Sequence, residues 1–166
     1  PWCGTMSFDT AGRTMMGTTS SDMVKIVGKL DPQPLAFGAN CGVGASDLLR
    51  TVLGFTEAGA PRPVIAKGNA GIPKYVEGHI HYDGTPEVMA NYAELARNCG
   101  AQIIGGCCGT TPDHLRAMRE SLETRSKGER PTLEEIEAKL GGFSSAKDGT
   151  GADDTPKRER RGRRRA

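Results

Sequence analysis

The chain has 166 residues and a mass of 17.6 kDa, with a formal net charge of +2. Twenty-three glycines and ten prolines punctuate it too often for a long coiled coil, and no run of about eighteen apolar residues is present to span a membrane. The charge is lopsided: residues 157–166 (KRERRGRRRA) hold seven of the 22 basic residues and one of the 20 acidic ones. The rest of the chain carries 15 basic against 19 acidic residues, so it has no global basic field for nucleic acid or anionic lipid. Any such attraction belongs to the tail. The sequence opens at Pro1-Trp2-Cys3 with neither an initiator Met nor an apolar signal segment, as a piece cut from a longer chain would. Five cysteines, with Cys107 and Cys108 adjacent, make a poor disulfide framework. They point instead to thiolate chemistry in a reducing compartment, the cytoplasm.

In chain order, residues 3–8 (CGTMSF) read as a first strand, followed by the loop DTAGRTMMGTT. Ser20 or Ser21 caps a helix over 22–29, with Met23, Ile26, Val27 and Leu30 at helical spacing. Pro34 leads into a second strand over 35–39. Ser46 and Asp47 open a helix whose buried stripe is Leu48, Leu49, Val52, Leu53 and Phe55. A third strand spans 64–67. Thr85-Pro86 starts a helix and Gly100 stops it, with Val88, Met89, Tyr92, Leu95 and Ala96 on one apolar face. A short fourth strand covers 102–105. Thr111-Pro112 repeats the start signal for a helix with Leu115 and Met118, running to about Arg125. Thr132 and Glu135 form a capping box for a short acidic helix that Gly141-Gly142 ends.

Strands that begin near 3, 35, 64 and 102 recur every 30 to 40 residues or so, the length of βαβ units with a parallel sheet. This pattern alone fits either half of a (β/α)₈ barrel or a small open doubly wound sheet. The expected division is a folded α/β unit over 1–126, a linker with a short helix over 127–142, and a disordered Arg-rich tail over 143–166. The tail reads as a solvated charge run, or more sharply as a nonspecific contact for RNA or an acidic partner.

The chemistry concentrates in two segments, GANCGVG (38–44) and GGCCGTTPDH (105–114). Each places cysteine just past the C-terminal end of a predicted strand, the edge where parallel α/β folds build their sites. Cys41, Cys107 and Cys108 are therefore three thiols from two strand ends that can meet, with glycines on either side to permit tight turns. Three thiolates with one open position describe a catalytic zinc site rather than a closed structural one. A vicinal disulfide or redox pair is the competing reading, but the C-x-x-C spacing is missing. Cys3 and Cys99 read as small core residues. A soft substrate thiol suits the fourth position of such a zinc, because coordination displaces its proton and leaves a nucleophilic sulfur.

GANCGVG followed 66 residues later by GGCCGTTPDHLRAM closely resembles the homocysteine S-methyltransferase (Hcy-binding) family, as do MSFDTAGRTMMG (6–17) and KGNAGIP (67–73). The resemblance covers roughly residues 3–120. It implies that the four strands are the fifth to eighth of a (β/α)₈ TIM barrel, with parallel strands, and that the first four are absent from this chain. It further implies Zn²⁺ held by Cys41, Cys107 and Cys108, with homocysteine sulfur completing the tetrahedron. Asn69 would then neighbour the metal, as a weak oxygen ligand when substrate is absent, or simply form the Asn-Ala-Gly turn. Asp9 and Asn40, in the same strand-end layer, would contact substrate or orient loops, and Asp9 equally suits an Asx turn.

The methyl donor implied is a small molecule. The wording of residues 6–17, with the Arg-rich end, resembles bacterial betaine–homocysteine S-methyltransferases, while cobalamin-dependent methionine synthase carries a similar module. The alternative from a different class is a noncatalytic metal-binding or interaction fragment. Half a barrel would expose two strand edges, so self-association or pairing with the missing N-terminal half is expected, and the fragment alone is expected to be inactive. Gly42-Val-Gly44 resembles a phosphate-binding loop, but Asp47 breaks the G-x-G-x-x-G pattern. His79 and His81 would share one side of a strand and could bind metal, although a polar or lid role suits their loop better; His114 reads as a surface residue.

Overall fold

The computed structural model describes residues 1–9 and 11–145, and the Arg-rich end of the chain lies outside the described residues. The elements in order are β1 (Cys3–Met6), α1 (Ser20–Lys29), β2 (Ala36–Asn40), α2 (Ala45–Glu57) and β3 (Val64–Gly68). There follow β4 (Lys74–Val76), β5 (His79–His81), α3 (Pro86–Asn98), β6 (Ile103–Gly106), α4 (Pro112–Thr124) and α5 (Leu133–Leu140). β1, β2, β3 and β6 form one parallel sheet in that spatial order. β4 and β5 make a separate antiparallel hairpin.

The strand order decides between the two architectures. A doubly wound sheet reverses its order at a switch point, where its two halves diverge. Here the order follows the chain without reversal, as consecutive strands of a (β/α)₈ barrel do. The fold is α/β, with the sheet of a partial TIM barrel.

One face of the sheet holds the core. Phe37 and Ala39 of β2 and Val64 and Ala66 of β3 pack with Leu49, Val52 and Phe55 of α2 and with Met89 and Tyr92 of α3. Phe55 meets Phe8 and Phe37 edge to face, with ring centroids 5.5 and 5.3 Å away. The expected stripes of α2 and α3 lie inside, except that Val88 is only half-buried.

Three expectations need correction. In α1 the buried face is Ser20, Met23, Val24 and Val27, while Ile26 and Leu30 are exposed. The cause is the close approach of α1 to α2, since a Cβ on Gly54 would fall 2.2 Å from Ser20 Oγ. The small pair draws that side of the helix inward, and the cap moves back to Thr19, which forms a capping box with Asp22. Leu115 is also exposed, because α4 turns His114, Met118 and Ser121 toward its neighbours. Cys3 is exposed rather than in the core. Gly4 and Met6 register with Phe37 and Ala39 of the core face, so Cys3 falls on the opposite side of an edge strand. Cys99 is buried, as expected.

The capping box of Thr132 and Glu135 starts α5, which seats Ile136 against α2 and α3. The chain then folds back along α2. Ser46 Oγ donates to Gly141 O at 2.6 Å, and Ser144 N donates to Asp47 Oδ2 at 3.1 Å. Arg50, in a buried ion pair with Asp47 at 2.8 Å, donates to Ser145 O and lies 4.7 Å over the Phe143 ring. Of the stretch expected to be disordered, residues 143–145 are thus placed against α2, and 146–166 fall outside the described residues.

Two measurements follow from this packing. Tyr92 is fully buried and its hydroxyl oxygen accepts from Gly68 N at 2.9 Å, at the very end of β3. Tyr92→Phe leaves that amide unsatisfied, so urea unfolding should show a loss of about 1–3 kcal/mol. Burial pushes the Cys99 thiol up to about 12. Alkylation of the native chain at neutral pH should label Cys3 and leave Cys99 unmodified until urea is added.

Candidate metal centre

The strand ends position three thiols. Cys41 follows β2 with a left-handed backbone (φ 52°), and Gly42 (φ 76°) continues the turn. That conformation costs a non-glycine residue roughly 1–2 kcal/mol, an expense found where a side chain must be aimed. Cys41 N donates to Lys67 O of β3 at 3.1 Å, and Cys107 N donates to Gly68 O at 2.8 Å. Ala70 N donates to Cys108 O at 2.9 Å, and Cys108 N donates to Asn69 Oδ1 at 3.1 Å. The end of β3 and the loop after it are therefore bonded to both cysteine-bearing loops.

The sulfurs of Cys41, Cys107 and Cys108 lie within 4.8 Å of one another. Among the described residues this is the one group of three or more His, Cys, Asp or Glu side chains gathered to hold a metal. Cys41 Sγ and Cys108 Sγ are 3.7 Å apart, far beyond the roughly 2.0 Å of a disulfide. Two thiolates on a tetrahedral zinc with bonds of about 2.3 Å stand about 3.8 Å apart, so the donor set and its spacing fit the ion. Cys41 and Cys107 are half-buried and Cys108 is exposed.

Electrostatics separates the thiols. Burial opposes ionisation of Cys41, but hydrogen bonds from Cys107, Asn40 and Cys108 outweigh it and hold its thiol below the ordinary cysteine range. Burial, with the hydrogen bond to Cys41 and its charge, pushes Cys107 up to about 11. Without a cation, the first negative charge makes the next costly; a dication removes that penalty for all three.

Asn40 and Asn69 come to the same cluster. Asn40 hydrogen-bonds the Cys41 thiol and reaches Ser7 Oγ at 3.5 Å. Asn69 is 3% exposed, and its side-chain oxygen is engaged by the Cys108 amide. Asp9 is exposed in the loop after β1, outside the thiol group. His79 and His81 are exposed on the hairpin and also stand apart.

His114 is a correction, being 8% exposed rather than on the surface. Its Nδ1 accepts from Thr111 N at 3.0 Å, which leaves the proton on Nε2 to donate to Gly84 O at 2.7 Å. The ring thus caps α4 and ties the chain after β5 to it. The sequence reading also missed Tyr82, whose ring lies on the backbone of Gly109 and whose phenol neighbours the Cys108 side chain. No local signal set it apart from Tyr75, Val76 and Ile80 of the same excursion.

Two comparisons bear on the chain. The family model for homocysteine S-methyltransferase matches residues 1–122. Among solved structures, the homocysteine methyltransferase MmuM from Escherichia coli, in its oxidized form, is similar at 25% sequence identity with a TM-score of 0.49. That likeness covers 72% of this chain but 35% of that one, so the chain spans about a third of its relative's length. On the family match over most of its length, this chain belongs to the homocysteine S-methyltransferase family.

Proposed function

We propose that the chain is the metal-holding part of a zinc-dependent homocysteine S-methyltransferase of the cytoplasm, which moves a methyl group from a small donor such as betaine to homocysteine and yields methionine. The observation that carries this reading is the meeting of three thiols from two loops within 4.8 Å, in a chain of that family. Cys41, Cys107 and Cys108 would hold the ion, and three protein ligands leave a fourth position for substrate. A zinc ion there would supply the positive charge that keeps a substrate thiol deprotonated at neutral pH.

The chain's own residues prepare that position. Asn40 donates to the Cys41 sulfur, and Asn69 holds the Cys108 amide, so the ligands are oriented by hydrogen bonds before a metal arrives. Asp9 and Asn40, at the same end of the sheet, are proposed to contact the substrate. The transfer is an in-line displacement: the substrate sulfur attacks the methyl carbon, and the donor leaves with the bonding pair. Placement of the two reactants supplies the rate. β1 and β6 are the edges of the described sheet, and they offer pairing surfaces to a second copy or to the rest of a barrel. Alone, the chain is proposed to turn over little.

The direct test is zinc content per chain on reduced protein. About one zinc is expected in the wild type and essentially none in Cys41→Ser; a folded wild type that binds no zinc would sink the proposal. In a complete barrel containing this segment, Cys107→Ser should lose zinc and methyl transfer together. Methyl transfer that persisted after zinc was lost would rule out the mechanism.

A further inference from the structure

The excursion between β3 and α3 is fastened at its base, beside the thiols. Lys74 and Asp83 form an ion pair across the hairpin base. Gly84 N donates to Ala70 O at 2.9 Å, and a Cβ on Gly84 would lie 2.4 Å from the Ala70 carbonyl carbon. His114 Nε2 holds Gly84 O from the other side. Tyr82 sits between β5 and this base, so both sides of its attachment are fixed.

Its hairpin companions point away. Tyr75 is 78% exposed and Ile80 is 65% exposed, whereas Tyr82 is half-buried. The Tyr82 ring lies directly on the backbone of Gly109: a Cβ there would fall 2.4 Å from its Cγ and 2.6 Å from its Cβ. Gly109 follows Cys108, so the ring covers the peptide next to the one exposed thiol of the trio. The phenol is a neighbour of all three sulfurs, with Cys108 foremost. A phenol carries its proton at neutral pH and can act as a donor.

We propose that Tyr82 is a positioning residue of the metal centre, its ring seated on Gly109 and its hydroxyl donating a hydrogen bond to the Cys108 sulfur. This rests on the reading that the three thiols hold a metal. A hydrogen bond to a ligating thiolate lowers the energy of its lone pairs, reduces competition from protons, and fixes the direction of the sulfur. Partners of this kind are worth about 10- to 100-fold in metal affinity.

The test uses the full 166-residue chain, wild type against Tyr82→Phe, loaded with cobalt(II) and separately titrated with zinc against a chelator. Phe keeps the ring on Gly109 and removes only the donor. The expected result is a shift of the sulfur-to-cobalt charge-transfer band to longer wavelength, with zinc binding weakened about tenfold. Tyr75→Phe, on the exposed side of the hairpin, should change neither. An unchanged band and affinity in Tyr82→Phe would overturn the proposal, as would an equal change in Tyr75→Phe. A wild type with no charge-transfer band at all would overturn the metal reading itself, and the role of Tyr82 with it.

Discussion

The parallel ladder does not stop where the strands stop. Past the end of β2, Cys41 N still bonds β3 at Lys67 O; past β6, Cys107 N still bonds Gly68 O. The loop after β3 then continues the pairing through Ala70 N and the Asn69 side chain, both to Cys108. Everything at the site depends on this extension. Backbone hydrogen bonds from a buried sheet hold loop atoms to a few tenths of an ångström, which a loop pinned only by exposed side chains could not achieve. The left-handed turn at Cys41 is the local cost of bringing its sulfur across.

Beneath the site, the same sheet is held by an apolar core that includes Phe8, Phe37 and Phe55. Tyr92 connects the two levels, fully buried among α3 and β3 residues while its oxygen takes up the Gly68 amide just before Asn69. Above it, His114 and the Lys74–Asp83 pair fix the base of the hairpin, and the Tyr82 ring rests on Gly109 beside Cys108. The cluster is thus supported from below by packing and from above by polar contacts.

The charge distribution agrees with a cation as the missing balance. Three thiols within 4.8 Å cannot all ionise on hydrogen bonds alone, which is visible in the opposite displacement of Cys41 and Cys107. Neighbouring donors favour the first charge, and a cation would balance the others.

How much of this was legible beforehand follows from the range of the forces involved. Periodicity, caps and the adjacent glycines and cysteines are local, so the four parallel strands, α2, α3, α5 and the two cysteine segments were readable in the sequence. The cysteines stood out because glycine-flanked thiols at strand ends have few other uses. Strand order was not readable, because βαβ units of equal length build both a barrel and a doubly wound sheet; only the pairing of β1 through β6 decided it. Nor could periodicity tell Val24 from Ile26, since the contact of Ser20 with Gly54 on another helix sets which side of α1 is buried. His114 and Tyr82 were missed for the same reason. Their partners, Gly84 O and the Cys108 side chain, lie 30 and 26 positions away in sequence and come near only once the sheet has formed. The sequence determined which residues could do the chemistry, through local rules of turn and helix; the tertiary structure decided which of them meet, because hydrogen bonds and contacts between distant segments exist only in the folded chain.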